Sequence, residues 1–139
     1  MKLMKDERVV ALNDCITLCL DAARLYASLA PAAEDRPLAQ ALQALAERRL
    51  AAAARLSTAV RALGELPAAP PQEERVLLET AAARIKANLA DETDRALGDE
   101  VAAKEAQVRQ AAEKLLALDL DEGILAAAKE LIADRGVQR

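Results

Sequence analysis

Apolar residues in the first part of the chain recur every three or four positions, which is the spacing of one helix face. The stripe consists of Val9, Leu12, Ile16, Cys19, Ala23, Tyr26 and Ala30. Asp6 is a suitable N-cap, and Pro31 ends the helical region because it cannot donate a backbone hydrogen bond. The pattern predicts a helix over about residues 6–30 that packs against near-parallel or antiparallel neighbours.

A second apolar stripe, formed by Leu18, Ala22, Leu25 and Leu29, lies beside the first. One helix of a small bundle does not need both stripes. Either the buried face of this helix is wide, or the additional leucines meet a second subunit. Leu18, Leu25 and Leu29 are therefore the candidate residues for self-association into a homodimer or a larger oligomer.

Four further amphipathic helices are predicted, over about residues 36–63, 72–90, 94–118 and 121–134. Four helices of similar length and a short fifth are typical of a bundle. The sequence therefore predicts an all-α fold. Its expected form is an antiparallel up-down four-helix bundle with a short C-terminal fifth helix, in a single domain that spans residues 1–139.

Local signals mark the ends of these helices. Asp35 is a suitable cap for the second helix, with Pro37 in its first turn and Gly64 as its C-terminal stop. A Pro-Ala linker, ELPAAPP at residues 65–71, is long enough to cross one end of a bundle. Asp91-Glu92-Thr93 is interpreted as a break between the third and fourth helices.

Composition narrows the classes of function. Aromatic residues make up 1% of the chain and the formal net charge is −4, which argues against nucleic-acid partners. No apolar run approaches the roughly 18 residues of a membrane span, and no apolar signal-peptide core follows the N-terminus. We therefore expect a cytoplasmic protein without nucleic-acid or membrane partners.

The chain contains no histidine. This excludes histidine phosphotransfer, imidazole-ligated haem or zinc, and histidine-based acid–base catalysis. Ser57 and Thr58 have no histidine base, and no glycine-rich phosphate loop is present. The sequence therefore leans away from an enzyme, and no catalytic or cofactor-binding residue is predicted.

Two groups of residues could carry chemistry inside the bundle. Cys15 and Cys19, four apart on one helix face, could present two thiolates to a soft metal or to an oxidant; alternatively, both are small buried apolar residues. Arg49 lies in the middle of the second helix's apolar stripe. Lys104 lies on the fourth helix's stripe, with Glu105 beside it. We predict that Arg49 and Glu105 form a buried ion pair, or alternatively that these long side chains reach the surface.

The first helix resembles a family of bacterial ferritin-like four-helix bundles that is known as a domain of unknown function. The resemblance rests on Leu12-Asn13-Asp14, followed by Ile16, Cys19, Asp21 and Tyr26. It continues weakly through Glu47-Arg48-Arg49, the proline-bearing linker, Asp99 and Glu105. It implies a ferritin-like fold and descent from di-iron carboxylate bundles.

The chain departs from that family where metal chemistry would be expected. Ala23 and Arg24 stand where related sequences tend to place glutamates. No glutamate has a histidine three residues on, whereas a di-iron site needs about four inward carboxylates and two imidazoles. Glu105 is the only carboxylate predicted to point inward, because Asp21 and Glu47 lie off the apolar stripes.

The leading hypothesis is a non-catalytic bundle that acts through self-association or a partner protein. The alternative is a ferritin-like protein that handles iron, manganese or copper, with Cys15, Cys19 and Glu105 as candidate ligands. A weaker alternative is a thiol redox sensor, which would need an exposed cysteine of low pKa.

Overall fold

The structure, a computed structural model, describes residues 6–69 and 90–137. Four α-helices lie in these ranges: α1 (Glu7–Leu29), α2 (Arg36–Ala62), α3 (Ala90–Leu116) and α4 (Glu122–Ala133). A short 3₁₀ helix, Ala30–Ala32, follows α1. The described residues contain no strand, so the predicted all-α class is confirmed.

The ends of α1 and α2 follow the local sequence signals. The Asp6 carboxylate accepts a hydrogen bond from the backbone N–H of Arg8 at 2.9 Å. The Asp35 carboxylate accepts one from the N–H of Leu38 at 3.1 Å, and Pro37 lies in the first turn of α2. Each cap satisfies an N–H group that has no partner within the helix. Both predicted caps are confirmed.

Gly64 ends α2 in a left-handed conformation, with φ +80°. The Gly64 N–H donates to the Arg61 carbonyl, and the Glu65 N–H donates to the Val60 carbonyl. This pair of bonds is the Schellman arrangement, which favours glycine because a Cβ atom disfavours positive φ. The predicted C-terminal stop is confirmed.

α1 packs against both α2 and α3, and its buried face is wide. The complete first apolar stripe is buried, as are Ala22, Leu25 and Leu29 of the second stripe. Leu25 and Leu29 therefore contribute to the core of a single chain. Of the three candidate self-association residues, only Leu18 remains half-buried. The width of the buried face thus explains most of the second stripe.

α3 differs from its prediction at both its start and its register. Residues 90–93 are helical, so the break predicted at 91–93 is not present. Thr93 and Asp94 are buried, and the Asp94 carboxylate accepts hydrogen bonds from the N–H groups of Glu34 and Asp35. Asp94, at the predicted start of this helix, therefore serves the turn before α2. Glu105 occupies the buried stripe and Lys104 lies half-buried beside it, the reverse of the predicted order.

The short C-terminal helix α4 packs against α3 and α2. It matches the helix predicted at about 121–134. The helix predicted at about 72–90, except for its last residue, lies outside the described residues. Within the described ranges, no helix has the length and hydropathy needed to cross a membrane.

Candidate functional site: a buried ion-pair network beside two thiols

Arg49 of α2 and Glu105 of α3 face each other in the core. Their side chains are 2% and 6% exposed. The Arg49 guanidinium donates from Nε to Glu105 Oε2 at 3.0 Å and from one terminal nitrogen to Oε1 at 2.5 Å. This two-point arrangement matches the planar guanidinium to the planar carboxylate. The predicted buried ion pair is confirmed.

Tyr26 of α1 completes the contact among three helices. Its hydroxyl donates to Glu105 Oε2 at 2.5 Å, and the residue is fully buried. Glu105 Oε2 therefore accepts from both Tyr26 and Arg49, while Oε1 accepts from Arg49. Because a buried carboxylate is costly unless its oxygens are hydrogen-bonded, these three hydrogen bonds offset the cost of a charge in the core.

The network reaches the surface through the C-terminal end of α4. The Asp134 carboxylate lies 3.1 Å from the Arg49 guanidinium and accepts hydrogen bonds from Arg48 Nε at 2.9 Å and from the Gly136 N–H at 2.8 Å. Arg48 is exposed, whereas Asp134 is half-buried. The buried guanidinium thus has two carboxylate partners, one inside the core and one at its edge.

The surroundings of Arg49 and Tyr26 fix their protonation. Burial lowers the pKa of Arg49, but the hydrogen bond and ion pair with Glu105 outweigh it, so the net shift raises the pKa. Burial, followed by the hydrogen bond to Glu105, raises the pKa of the Tyr26 hydroxyl well above its ordinary value. At neutral pH, Arg49 is charged and Tyr26 keeps the proton it donates.

Cys15 and Cys19 lie in the same core, on the face of α1 that meets this network. Both are free thiols with no exposed surface. Their side chains are hydrogen-bonded to each other. This contact, followed by burial, raises the pKa of the Cys19 thiol far above its ordinary value. The same contact lowers the pKa of Cys15. Cys19 therefore keeps its proton at neutral pH.

A groove of about 1200 Å³ runs between α1 and α3 on the outside of the molecule. Its apolar residues are Val10, Ala11, Leu18, Ala111, Ala117 and Leu118, and its polar residues are Glu7, Asp14, Thr17, Gln107, Gln110 and Lys114. Val10 is 42% exposed, and Leu18 is half-buried. We refer to this surface as the α1/α3 groove.

A protein family described as "Domain of unknown function (DUF2383)" matches residues 7–118. The chain belongs to the DUF2383 family. No curated protein and no solved structure matches it. The resemblance noted in the sequence is thus confirmed as membership of a helical family of unknown function.

The DUF2383 match includes α1, α2 and α3, and therefore Tyr26, Arg49 and Glu105. It ends before α4, so the part of the network supplied by Asp134 lies beyond the matched residues. The central triad is accordingly built from the matched domain alone, and α4 adds an outer partner for the same guanidinium.

The side chains of the network are hydrogen-bonded to one another. Both oxygens of the Glu105 carboxylate accept hydrogen bonds. The donors are two nitrogens of the Arg49 guanidinium and the Tyr26 hydroxyl. Across the described ranges, no group of three or more cysteine, aspartate or glutamate side chains is arranged to hold a metal ion. The candidate ligand Glu105 is engaged by an arginine, which competes with any cation for its oxygens.

Sequence reasoning missed Asp94 and Asp134. Asp94 lay at the predicted start of a helix, and Asp134 lay at the end of a helix where an acidic residue has no favourable interaction with the helix dipole. That unfavourable position was the one available signal for Asp134, because it implies a compensating partner. Nothing local indicates that this partner is the Arg48–Arg49 pair.

Proposed function

We propose that this DUF2383 protein is a non-catalytic helical bundle that acts through self-association, with the α1/α3 groove as the contact surface. The exposed apolar groove carries this proposal. Val10 and Leu18 line it together with Leu118, so it offers apolar area that the single chain leaves in contact with water. A second copy that covers this area would gain roughly 25 cal/mol for each Å² of apolar surface removed from water.

The bundle itself is proposed to be antiparallel and ferritin-like. Support comes from the pairing between α1 and α3: Tyr26 meets Glu105, whereas the backbone N–H of Glu34, beyond the end of α1, meets Asp94. Residue numbers rise along one helix as they fall along the other, which is the signature of antiparallel neighbours. α2 and α4 pair in the same sense, through Arg48 with Asp134 and Arg55 with Glu130.

A non-catalytic role is supported by the chemistry of the interior. In a di-iron bundle the space between the helices is filled by a metal and its carboxylate and imidazole ligands. Here a guanidinium, one carboxylate and a phenol fill that space and satisfy one another. The arrangement links three helices and engages both oxygens of Glu105.

Charge along the groove favours a second copy of this chain as the occupant. Glu7 and Asp14 lie on its α1 side, and Lys114 lies on its α3 side. A two-fold axis that runs along the groove would place α1 of each chain opposite α3 of the other. Asp14 of each chain would then face Lys114 of the other, as the isologous contact of a cyclic dimer requires.

Light scattering on the full-length protein at micromolar concentration tests the proposal. We expect a mass of two chains or more for the wild type, and a monomer for Leu18→Glu, because a carboxylate in the covered groove would be desolvated without a partner. Leu50→Glu is the matched control, since Leu50 is 51% exposed on α2 outside the groove. It should keep the wild-type mass.

A wild-type monomer at this concentration would overturn the proposal, as would an assembly that Leu18→Glu leaves intact. Because Leu18 is half-buried, its substitution could also affect folding. Val10→Glu, at a residue that is already 42% exposed, provides a second variant with little cost in the monomer. Its mass should fall in the same way while its circular dichroism stays that of the wild type.

A further inference from the structure

The thiols of Cys15 and Cys19 have no part in the proposed self-association. They lie one helical turn apart on α1, have no exposed surface and are hydrogen-bonded to each other. Both are free. Two thiols held in contact inside a core can form a disulfide, bind a metal ion between them, or remain as apolar packing. The geometry of α1 discriminates between the first two outcomes.

A disulfide between these positions is disfavoured by distance. Side chains four residues apart on a helix have Cβ atoms about 5–6 Å apart, whereas a disulfide needs about 3.5–4.5 Å. A bridging metal ion relaxes this requirement. With a metal–thiolate bond of roughly 2.3 Å, one ion can join two sulfurs that are up to about 4.6 Å apart. The spacing on α1 therefore suits a thiolate–metal–thiolate bridge better than a sulfur–sulfur bond.

The number of ligands selects the class of metal. Zinc in proteins takes four ligands, and within the described residues no third cysteine or carboxylate joins the two thiols in a metal-binding group. Monovalent Cu(I) is soft, prefers thiolates and is satisfied by two of them in a linear arrangement. The pair is therefore matched to a soft monovalent ion and poorly matched to a divalent one.

The charges around the two thiols act in both senses. The buried Arg49 guanidinium favours the negative form of both thiols, whereas Glu105 disfavours that of Cys19. Arg49 is itself paired with Glu105 and Asp134. The number and softness of the ligands, and not the surrounding charge, therefore select the ion.

We propose that Cys15 and Cys19 form a two-coordinate binding site for one Cu(I) ion in the core of α1. On binding, both S–H bonds are broken, two copper–sulfur bonds form, and two protons pass to solvent. The oxidation state of the metal does not change. The ion takes the place of the two thiol protons of the free protein. This site is independent of the α1/α3 groove.

The test is an anaerobic titration of the full-length protein with Cu(I) in competition with a coloured Cu(I) chelator. We expect one ion per chain for the wild type and none retained by Cys15→Ser or by Cys19→Ser. Because both thiols are buried, the ion enters through local opening, and each point is read at equilibrium. Circular dichroism verifies that the variants keep the helical content of the wild type.

Proton release supplies a second readout that nonspecific binding does not share. Because two protons leave for each ion bound, the apparent dissociation constant should fall about 100-fold per pH unit while both thiols are protonated in the free protein. Zn(II) is the comparison metal, and it should not bind stoichiometrically under the same competition.

Loss of Cu(I) to the chelator at every pH would overturn the proposal. Retention of one Cu(I) ion per chain by either serine variant, or stoichiometric binding of Zn(II), would also overturn it. The Leu18→Glu variant separates this site from self-association. It should bind one Cu(I) per chain whatever its mass in light scattering.

Discussion

Arg49 and Glu105 are the most consequential residues of the core, because each brings a charge into a region with almost no solvent. A buried ion pair adds little net stability, since the cost of desolvation offsets most of the Coulomb attraction. Removal of one partner alone is strongly destabilising, because the remaining buried charge then has no partner. This asymmetry allows the role of the pair to be measured.

Glu105→Gln keeps the shape of the side chain and removes its charge. It leaves the Arg49 guanidinium with Asp134 at the edge of the core, so we expect a loss of about 3 kcal/mol in the free energy of unfolding. Chemical denaturation measures this loss. Glu113→Gln, an exposed substitution on α3, should change stability by about 0.5 kcal/mol or less.

The double variant Arg49→Met with Glu105→Leu should recover part of the stability lost by Glu105→Gln, because no unpaired charge remains in the core, although the Tyr26 hydroxyl loses its acceptor. A Glu105→Gln variant as stable as the wild type would show that the ion pair has no role in the fold. A double variant that is stable but populates several conformations would instead indicate that the pair sets the register of the helices.

Tyr26 reports on the same network spectroscopically, since the chain has one tyrosine and no tryptophan. Burial and the hydrogen bond to Glu105 raise its pKa in the folded state. Its contribution to stability is therefore complete below the unfolded pKa of about 10 and is lost as the pH rises further. We expect no tyrosinate absorbance in the native protein at about pH 10, and its appearance only together with unfolding.

The denatured protein is the control for this titration, and it should titrate near the ordinary tyrosine pKa. The expectation fails if tyrosinate forms near pH 10 while circular dichroism still shows the native helices. Such a result would place the Tyr26 hydroxyl in contact with water and away from Glu105.

Among the elements, α4 is attached through charges as well as through apolar contacts. Burial raises the pKa of Asp134. The hydrogen bonds from Arg48 and from the Gly136 N–H, together with the charges of Arg49 and Arg48, lower it by more, so the net shift lowers the pKa. The stabilisation from Asp134 is therefore present above the unfolded pKa of about 3.9 and is lost as the pH falls through the lower folded value.

Asp134→Asn should destabilise the protein at pH 6, where Asp134 is ionised in both states, and the deficit should shrink below about pH 4. Thermal unfolding at a series of pH values measures this. Glu130→Gln is the matched control on α4, because the Arg55–Glu130 pair is exposed on both sides and contributes little. A deficit for Asp134→Asn that does not depend on pH would assign the effect to lost packing.

The ends of α1 and α2 illustrate what a local signal can determine. Asp6 and Asp35 accept hydrogen bonds from residues two and three positions ahead, and Gly64 adopts its positive φ within the turn that it closes. These interactions depend on a few consecutive residues, so the sequence predicts them without knowledge of the fold. The local signal at 91–93 failed, because these residues continue a helix that begins at or before Ala90.

For the molecule as a whole, the core of one chain buries most of the apolar surface of α1, and within the described residues the α1/α3 groove exposes apolar side chains of both α1 and α3. The candidate stripe of Leu18, Leu25 and Leu29 is divided by this packing, since two of its leucines lie inside. Self-association stays a prediction. The predicted contact surface is the α1/α3 groove, which Leu18 lines, and not the complete stripe.

The sequence by itself determined the helical class, the caps of α1 and α2 and the buried stripe of α1. These follow from the 3.6-residue period and from bonds between near neighbours, which are properties of each helix alone. Only the tertiary structure decided which surface each face meets. The period places Leu25, Glu105 and Asp134 on particular faces, but their burial and partners depend on which helix lies opposite.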